Sequence, residues 1–236
     1  MSKLDPAKEK YRGKFLLPKG QFVETPEKNI ALTHFQDMED MNRSLAAYLI
    51  EREQDKLGRE GKQSFSKSTK IHHVDAWDAP GARFVDERAK ALFRLITGLD
   101  QAVVDLSWAN IYRQGDYIMP HAHSRSMGSV VYVVSMGDED ETDPMSGKFV
   151  ISDPRLPLCC QADGRYMSNT YMPSLGAGSM IVFPASVVHM VTPYRGKSPR
   201  ITLAWNINNV ALKPRTERES YGIPPHPGKA KPRSLT

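Results

Sequence analysis

Three histidines stand at spacings that a β-sheet protein could turn into one metal site. His121 and His123 lie two apart in the segment YIMPHAHS. In an extended chain alternate side chains share a face, so both imidazoles can reach the same ion. His189 comes 66 residues after His123 (189 − 123), in VFPASVVHMV, behind a glycine, an apolar run and a proline-containing turn. Imidazole is the commonest transition-metal ligand. Three ligands from two strands would close one side of an ion and leave its other positions open to substrate and oxygen. The bare pattern is equally met by three unrelated surface or core histidines. The adjacent His72 and His73 would point to opposite sides of a strand and read as structural.

The elements that must position these residues follow from periodicity. Met38, Met41, Leu45, Tyr48 and Leu49 recur every three or four residues, which predicts a helix over 36–56. Thr33 and Gln36 have capping-box spacing and suggest its start. The polar stretch from Lys56 to Lys70 offers no reason to pack. Phe84, Val85, Ala89, Leu92, Phe93 and Ile96 predict a second helix over 83–98, stopped by a left-handed Gly98. From Val103 onward, short β-branched and aromatic runs bounded by turn residues predict strands at Val103–Tyr112, Ser129–Val134, Lys148–Ile151, Met180–Phe183, His189–Thr192 and Ile201–Ile207. The turn from Gly137 to Gly147 carries five acidic residues. Helices followed by a block of strands predict an α+β, mainly β fold, a sandwich or barrel with helices outside.

Composition narrows the classes. The 236 residues, 40% hydrophobic and 25% charged, suit one large domain, expected over 31–212 with its sheet core over 103–209. No apolar run approaches the ~18 residues of a membrane span, and MSKLDPAKEKYRGK lacks the apolar stretch of a secretory signal, so a cytoplasmic home is expected. The two cysteines, Cys159 and Cys160, are adjacent and build neither a disulfide framework nor a four-cysteine zinc site. Much of the net charge of +5 lies in the arm 1–30 and the proline-rich tail 213–236. Both read as solvated tails, so a nucleic-acid partner is not indicated. There is no phosphate-binding glycine loop and no GxSxG elbow.

Five residues separate Gly115 from His121, five separate Gly178 from Pro184, and His189 stands five positions further on. This spacing resembles the two metal motifs of the cupin fold, except that SRSMGSV lacks the usual glutamate. A second resemblance covers Trp108 to Asn208. WANIYRQGDYIMPHAHSRSMGSVVYVV, GKFVISDPRLP and GAGSMIVFPASVVHMVTPYRGKSPRITLAWNIN together resemble the bacterial and phage family of iron(II)/2-oxoglutarate-dependent oxygenases with an HxH motif.

That resemblance implies a double-stranded β-helix (a cupin-like jelly roll) buttressed by the N-terminal helices, with Fe(II) at its open mouth on His121, His123 and His189. It implies that Arg200, 11 positions after His189 (200 − 189), grips the distal carboxylate of 2-oxoglutarate. A planar guanidinium suits that bidentate contact better than lysine does. Thr202 shares the strand face of Arg200. Asn110 and Tyr112 form an Asn-x-Tyr pair resembling the nucleic-acid demethylase branch of the superfamily, where such side chains donate to 2-oxoglutarate; strand packing is their alternative role. Ser129 and Tyr132 have opposite parity, so at most one lines the pocket. Asp153 and Arg155 match the family pattern and read as a turn ion pair. Most superfamily members carry a carboxylate where this chain has His123. Either three imidazoles bind the metal, or His123 lies behind it and Asp116 or Asp153 completes the site.

The implied activity is that of a 2-oxoglutarate-dependent dioxygenase (EC 1.14.11.-), hydroxylating an unidentified substrate with O2 and releasing succinate and CO2. Two alternatives stay open: a cupin-like metalloenzyme that does not use 2-oxoglutarate, and a non-enzymatic β-helix binding module. The acidic turn, the 56–70 stretch and the basic tail are candidate lids or docking surfaces. The helices and tails would suit a homodimer.

Overall fold

The computed structural model describes residues 23–24, 30–56, 66–79, 81–138, 142–152 and 170–212. Eleven strands and two α-helices run in chain order among these residues. They are β1 Val23–Glu24, β2 Ala31–His34, α1 Glu39–Lys56, β3 Thr69–His72, α2 Ala82–Thr97, β4 Val103–Tyr112, β5 Ile118–His121, β6 Gly128–Ser135, β7 Phe149–Ser152, β8 Thr170–Tyr171, β9 Ser179–Pro184, β10 Val188–Val191 and β11 Arg200–Asn208. The strands form two antiparallel sheets, β1-β2-β9-β6-β11-β4-β3 and β5-β10-β7-β8. Consecutive strands often fall in different sheets, as β4 and β5 do. This alternation is the winding of a double-stranded β-helix, as the sequence implied.

Strand parity divides the large sheet into two faces. Ile201, Leu203, Trp205 and Ile207 of β11, Ala109 and Ile111 of β4, and Val130, Tyr132 and Val134 of β6 belong to one buried cluster with Leu45, Leu49, Val85, Leu92 and Phe93 of the helices. The helices therefore cover this face. Polar clamps fix them there. Trp205 donates to Asp86 Oδ1 at 2.8 Å, and Asp86 pairs with Lys90 at 2.6 Å. Tyr132 donates to Asn42 Oδ1 at 2.7 Å. Arg113, just after β4, pairs at 2.6 Å with Glu53, whose side chain is buried on α1. The opposite face meets the small sheet around Tyr112, Ile118, Phe149, Phe183, Val191 and Tyr194. A Cβ on Gly128 would come within 2.9 Å of the Phe93 ring, so the missing side chain lets α2 lie close to β6.

Helix α2 ends as the sequence predicts, with Gly98 left-handed at φ 69° and its N–H on the Arg94 carbonyl. Two expectations are corrected. Thr33 is no helix cap: it pairs with Met180 across β2 and β9, and α1 begins at Glu39 with an acidic first turn. The helix-like spacing of 33 and 36 is overridden by long-range pairing to β9. The end of the polar stretch also packs. Ser66 bridges to Ile118, Ser68 is buried, and β3 pairs with β4 from Thr69↔Ile111 to His72↔Trp108. The six predicted strands all form, with ends shifted by a residue at most. Most of the arm, the tail beyond 212, Asp153, Arg155, both cysteines and most of 56–65 lie outside the described residues; within the arm, Val23–Glu24 is not a free tail but pairs with β2. No helix of the described residues is long and apolar enough to cross a membrane.

Candidate metal and cosubstrate site

The small sheet gathers the histidines. β5 and β10 pair so that His121 and His189 lie directly across from one another. The His123 backbone N–H reaches the Ala185 carbonyl at 2.8 Å, which brings the third imidazole to the same side. One potential ligand atom from each ring lies within 4.8 Å of the other two. His121 Nδ1 sits 2.8 Å from the Met119 carbonyl and His189 Nδ1 sits 2.9 Å from the Val187 carbonyl. A carbonyl can only accept, so each Nδ1 carries the proton and Nε2 keeps the lone pair a metal needs. Burial lowers the pKa of both rings, that of His189 to about 3, with the neighbouring His121 adding to the effect. Neutral imidazole is the ligating form.

Asp116, the alternative carboxylate, occupies the turn after β4 and accepts the Arg113 N–H at 2.8 Å. It is not part of the three-residue group.

The large sheet gathers the remaining predicted residues. On β11 and β4 the register sets Arg200 opposite Tyr112, Thr202 opposite Asn110 and Ala204 opposite Trp108. All six line one cavity with the three histidines. Ser129 lines it too and donates to Asn206 Oδ1 at 2.9 Å, while Tyr132 turns to the helices, as strand parity requires. Ser68 reaches Asn110 Oδ1 at 3.4 Å, which turns the amide NH2 toward other acceptors. Tyr112 is fully enclosed and bonds to Thr202 and Arg200; burial pushes its pKa to about 12, so it stays a neutral donor.

Arg200 is only 2% exposed, and its Nε and Nη1 have no hydrogen-bond partner among the described residues. Its guanidinium lies 4.9 Å from the Tyr112 ring centre, and burial lowers its pKa. A buried cation with unused donors is costly unless an anion joins it. Space has been left beside it: a Cβ on Gly147, which sits at φ 60°, would come within 2.9 Å of Tyr194 and 3.1 Å of Arg200 Cδ. Tyr194 braces the loop before Arg200, donating to the Ser198 carbonyl and accepting the Asp138 N–H. Asp138 in turn accepts the Lys197 and Ser198 N–H groups. Part of the acidic turn is thus a brace. The cavity's donor set suits both groups the resemblance implies: nitrogen ligands for a divalent metal, and a deep cation with flanking neutral donors for a dicarboxylate.

Among the cavity residues that sequence reasoning missed are Lys70 and Trp108. Lys70 falls in the stretch read as unpacked, and burial lowers its pKa to about 8. Trp108 was read only as the start of a motif, although its even parity with Asn110 and Tyr112 signals the same face. His72 and His73 stay outside the cavity lining; His73 takes a left-handed φ of 66° ahead of a short 3-10 turn.

The double-stranded β-helix thus brings three clustered imidazoles and a buried arginine into one cavity. Residues 106–206 match the family model described as "Putative 2OG-Fe(II) oxygenase". The fold is similar to a prolyl-4-hydroxylase from Pseudomonas putida, at 18% identity over 78% of this chain and 94% of that one, TM-score 0.55. It is similar to SnoK, a non-heme alpha-ketoglutarate-dependent carbocyclase from nogalamycin biosynthesis, at 12% identity over 94% and 90%, TM-score 0.60. It is also similar to HygX from Streptomyces hygroscopicus, solved with nickel and 2-oxoglutarate bound, at 11% identity over 82% and 90%, TM-score 0.54. No curated protein matches. Over residues 106–206 the chain is therefore similar to the 2OG-Fe(II) oxygenases, and its fold is shared with solved members of that family.

Proposed function

We propose that His121, His123 and His189 hold Fe(II), and that Arg200, Thr202, Asn110 and Tyr112 hold 2-oxoglutarate, in an enzyme that hydroxylates a C–H bond of its substrate. The observation that carries this reading is Arg200: a buried guanidinium with two unpartnered donors, in the same cavity as three clustered imidazoles. When bound, the metal supplies oxygen activation coupled to decarboxylation of 2-oxoglutarate to succinate and CO2. The protein's own residues supply the rest. His121 and His189 are held as neutral ligands by the Met119 and Val187 carbonyls. Arg200 fixes one carboxylate of the dicarboxylate bidentately, and the Tyr112 hydroxyl and Asn110 amide donate without adding charge. Phe149 and Phe183, which pack around the His189 ring, keep water from its buried side.

On this reading residues 31–212 act as one unit, in a cytoplasmic protein. The test is anaerobic addition of Fe(II) and 2-oxoglutarate. The expected result is a weak visible charge-transfer band, together with a rise in Tm that needs both additions. No band and no 2-oxoglutarate-dependent shift would overturn the proposal and favour a metal site that works without this cosubstrate.

A further inference from the structure

We infer that Lys70 and Trp108 form a subsite that binds an anionic group, of carboxylate chemistry, on the substrate to be oxidised. The inference rests on the proposed function and adds the substrate's chemical class to it. β3 and β4 place the two side chains on neighbouring strands, with Lys70 across from Asn110 and His72 across from Trp108. Lys70 Nζ lies 5.7 Å from the centre of the indole ring, and that ring lies 5.8 Å from the His123 ring. Trp108 is 7% exposed, and its Nε1–H has no hydrogen-bond partner among the described residues. A buried N–H left without an acceptor is unfavourable, so an acceptor brought by a ligand would satisfy it.

Strand geometry separates this subsite from the cosubstrate pocket. Trp108 sits four residues along β4 from Tyr112, the cross-strand partner of Arg200. At about 3.3 Å per residue, that is a separation of roughly 13 Å. Trp108 therefore lies toward the end of the cavity away from Arg200, beside His123, and Lys70 sits between the two, across from Asn110. One dicarboxylate anchored at Arg200 and reaching the histidines leaves the Trp108 end for a second molecule.

Charge gives the second molecule its sign. The described cavity wall contains two cations, Lys70 and Arg200, three histidines and no aspartate or glutamate. Three neutral imidazoles give a divalent metal no compensating charge. With one carboxylate of 2-oxoglutarate at Arg200 and the other at the metal, its two negative charges still leave the cavity lining and metal together net positive. An anionic substrate group would lower that excess in a partly desolvated site, where opposite charges attract more strongly than in water. Its oxygens would accept from the ammonium and from the indole N–H, and its flat face could lie against the ring.

The probe pair is phenylacetate and phenylacetamide, equal in shape and differing in charge. Binding is read as paramagnetic relaxation of the probe protons in the full-length protein loaded with Mn(II) and saturating 2-oxoglutarate. We expect saturable binding of phenylacetate, with the amide weaker by about tenfold or more, the loss of one charge-assisted contact. Lys70→Met should weaken phenylacetate by a similar factor, Lys70→Arg should retain most of the affinity, and Trp108→Phe should lose several-fold. The 2-oxoglutarate affinity of each variant should stay at the wild-type value, which also shows that the variant is folded. Equal affinity for acid and amide, indifference to Lys70→Met, or no saturable binding up to about 50 mM in protein that binds 2-oxoglutarate overturns the subsite alone. Wild-type protein that fails to bind 2-oxoglutarate overturns this inference together with the function it rests on.

Discussion

The two sheets are covered to different extents. Every position of β11 is buried, polar and apolar alike, because helices cover one face and the small sheet faces the other. Among the described residues the small sheet is less covered on its outer side: β5 exposes Met119 and Pro120, and β10 exposes Val188. The covered sheet carries Arg200, where a low dielectric makes one guanidinium a strong anchor for an anion. The more open sheet carries His121, which is half-buried, across from His189, which is buried, so the histidine cluster is the shallower of the two groups at His121 alone.

Variants on each sheet should break this division in different ways. The largest effect is expected on the small sheet. His121→Ala or His189→Ala should lower metal affinity by more than about 1,000-fold, since a direct ligand is worth more than the 10- to 100-fold of an outer partner. Isothermal titration with Mn(II) measures it, and metal binding within tenfold of wild type would remove that histidine from the site.

On the large sheet, Arg200→Met should weaken 2-oxoglutarate by at least about 100-fold while leaving metal affinity in place. The ligand-free variant should also be more stable than wild type, by about 1–3 kcal/mol, because an apolar side chain replaces a buried cation with unused donors. Chemical denaturation reads that sign; a destabilised variant would mean that Arg200 is structurally satisfied in the empty protein.

Gly147→Ala tests the space beside the guanidinium. With φ at 60° and contacts of 2.9 and 3.1 Å waiting for a Cβ, it should cost about 1–3 kcal/mol of stability. It should also raise the 2-oxoglutarate dissociation constant several-fold, with metal affinity unchanged.

The smallest effect concerns Lys70, whose pKa burial lowers from 10.5 to about 8. Between those values the folded state has released a proton that the unfolded state still binds, so stability rises with pH. Wild type should therefore gain Tm relative to Lys70→Met as pH climbs from about 8 to about 10.5, and show no such trend below 8. A flat difference across that range would place the ammonium in water.

Much of this was legible before any coordinates. Alternation in β4, β6, β9 and β11 marked the strands, and the apolar spacing of Phe84 to Ile96 marked α2. Polar residues at even positions of two strands, Asn110 and Thr202, marked the cavity face. Thr33 was misread because two residues in helical spacing carry no information about the strand β9, some 150 residues away, that claims the first of them. Lys70 was missed for the same reason: a polar segment becomes a strand when an edge, here β4, is available to pair with it.

The sequence by itself determined which chemistry was possible. It supplied two histidines on one strand face, a third after a turn, an arginine 11 positions further on, and donors of the right parity. Parity is a property of the local chain, so it can be read locally. Only the tertiary structure decided that His121 faces His189, that Arg200 is buried with donors to spare, and that Lys70 and Trp108 meet in the same cavity. Those relations depend on strand neighbours set by burial of the whole sheet, which no window of the sequence contains.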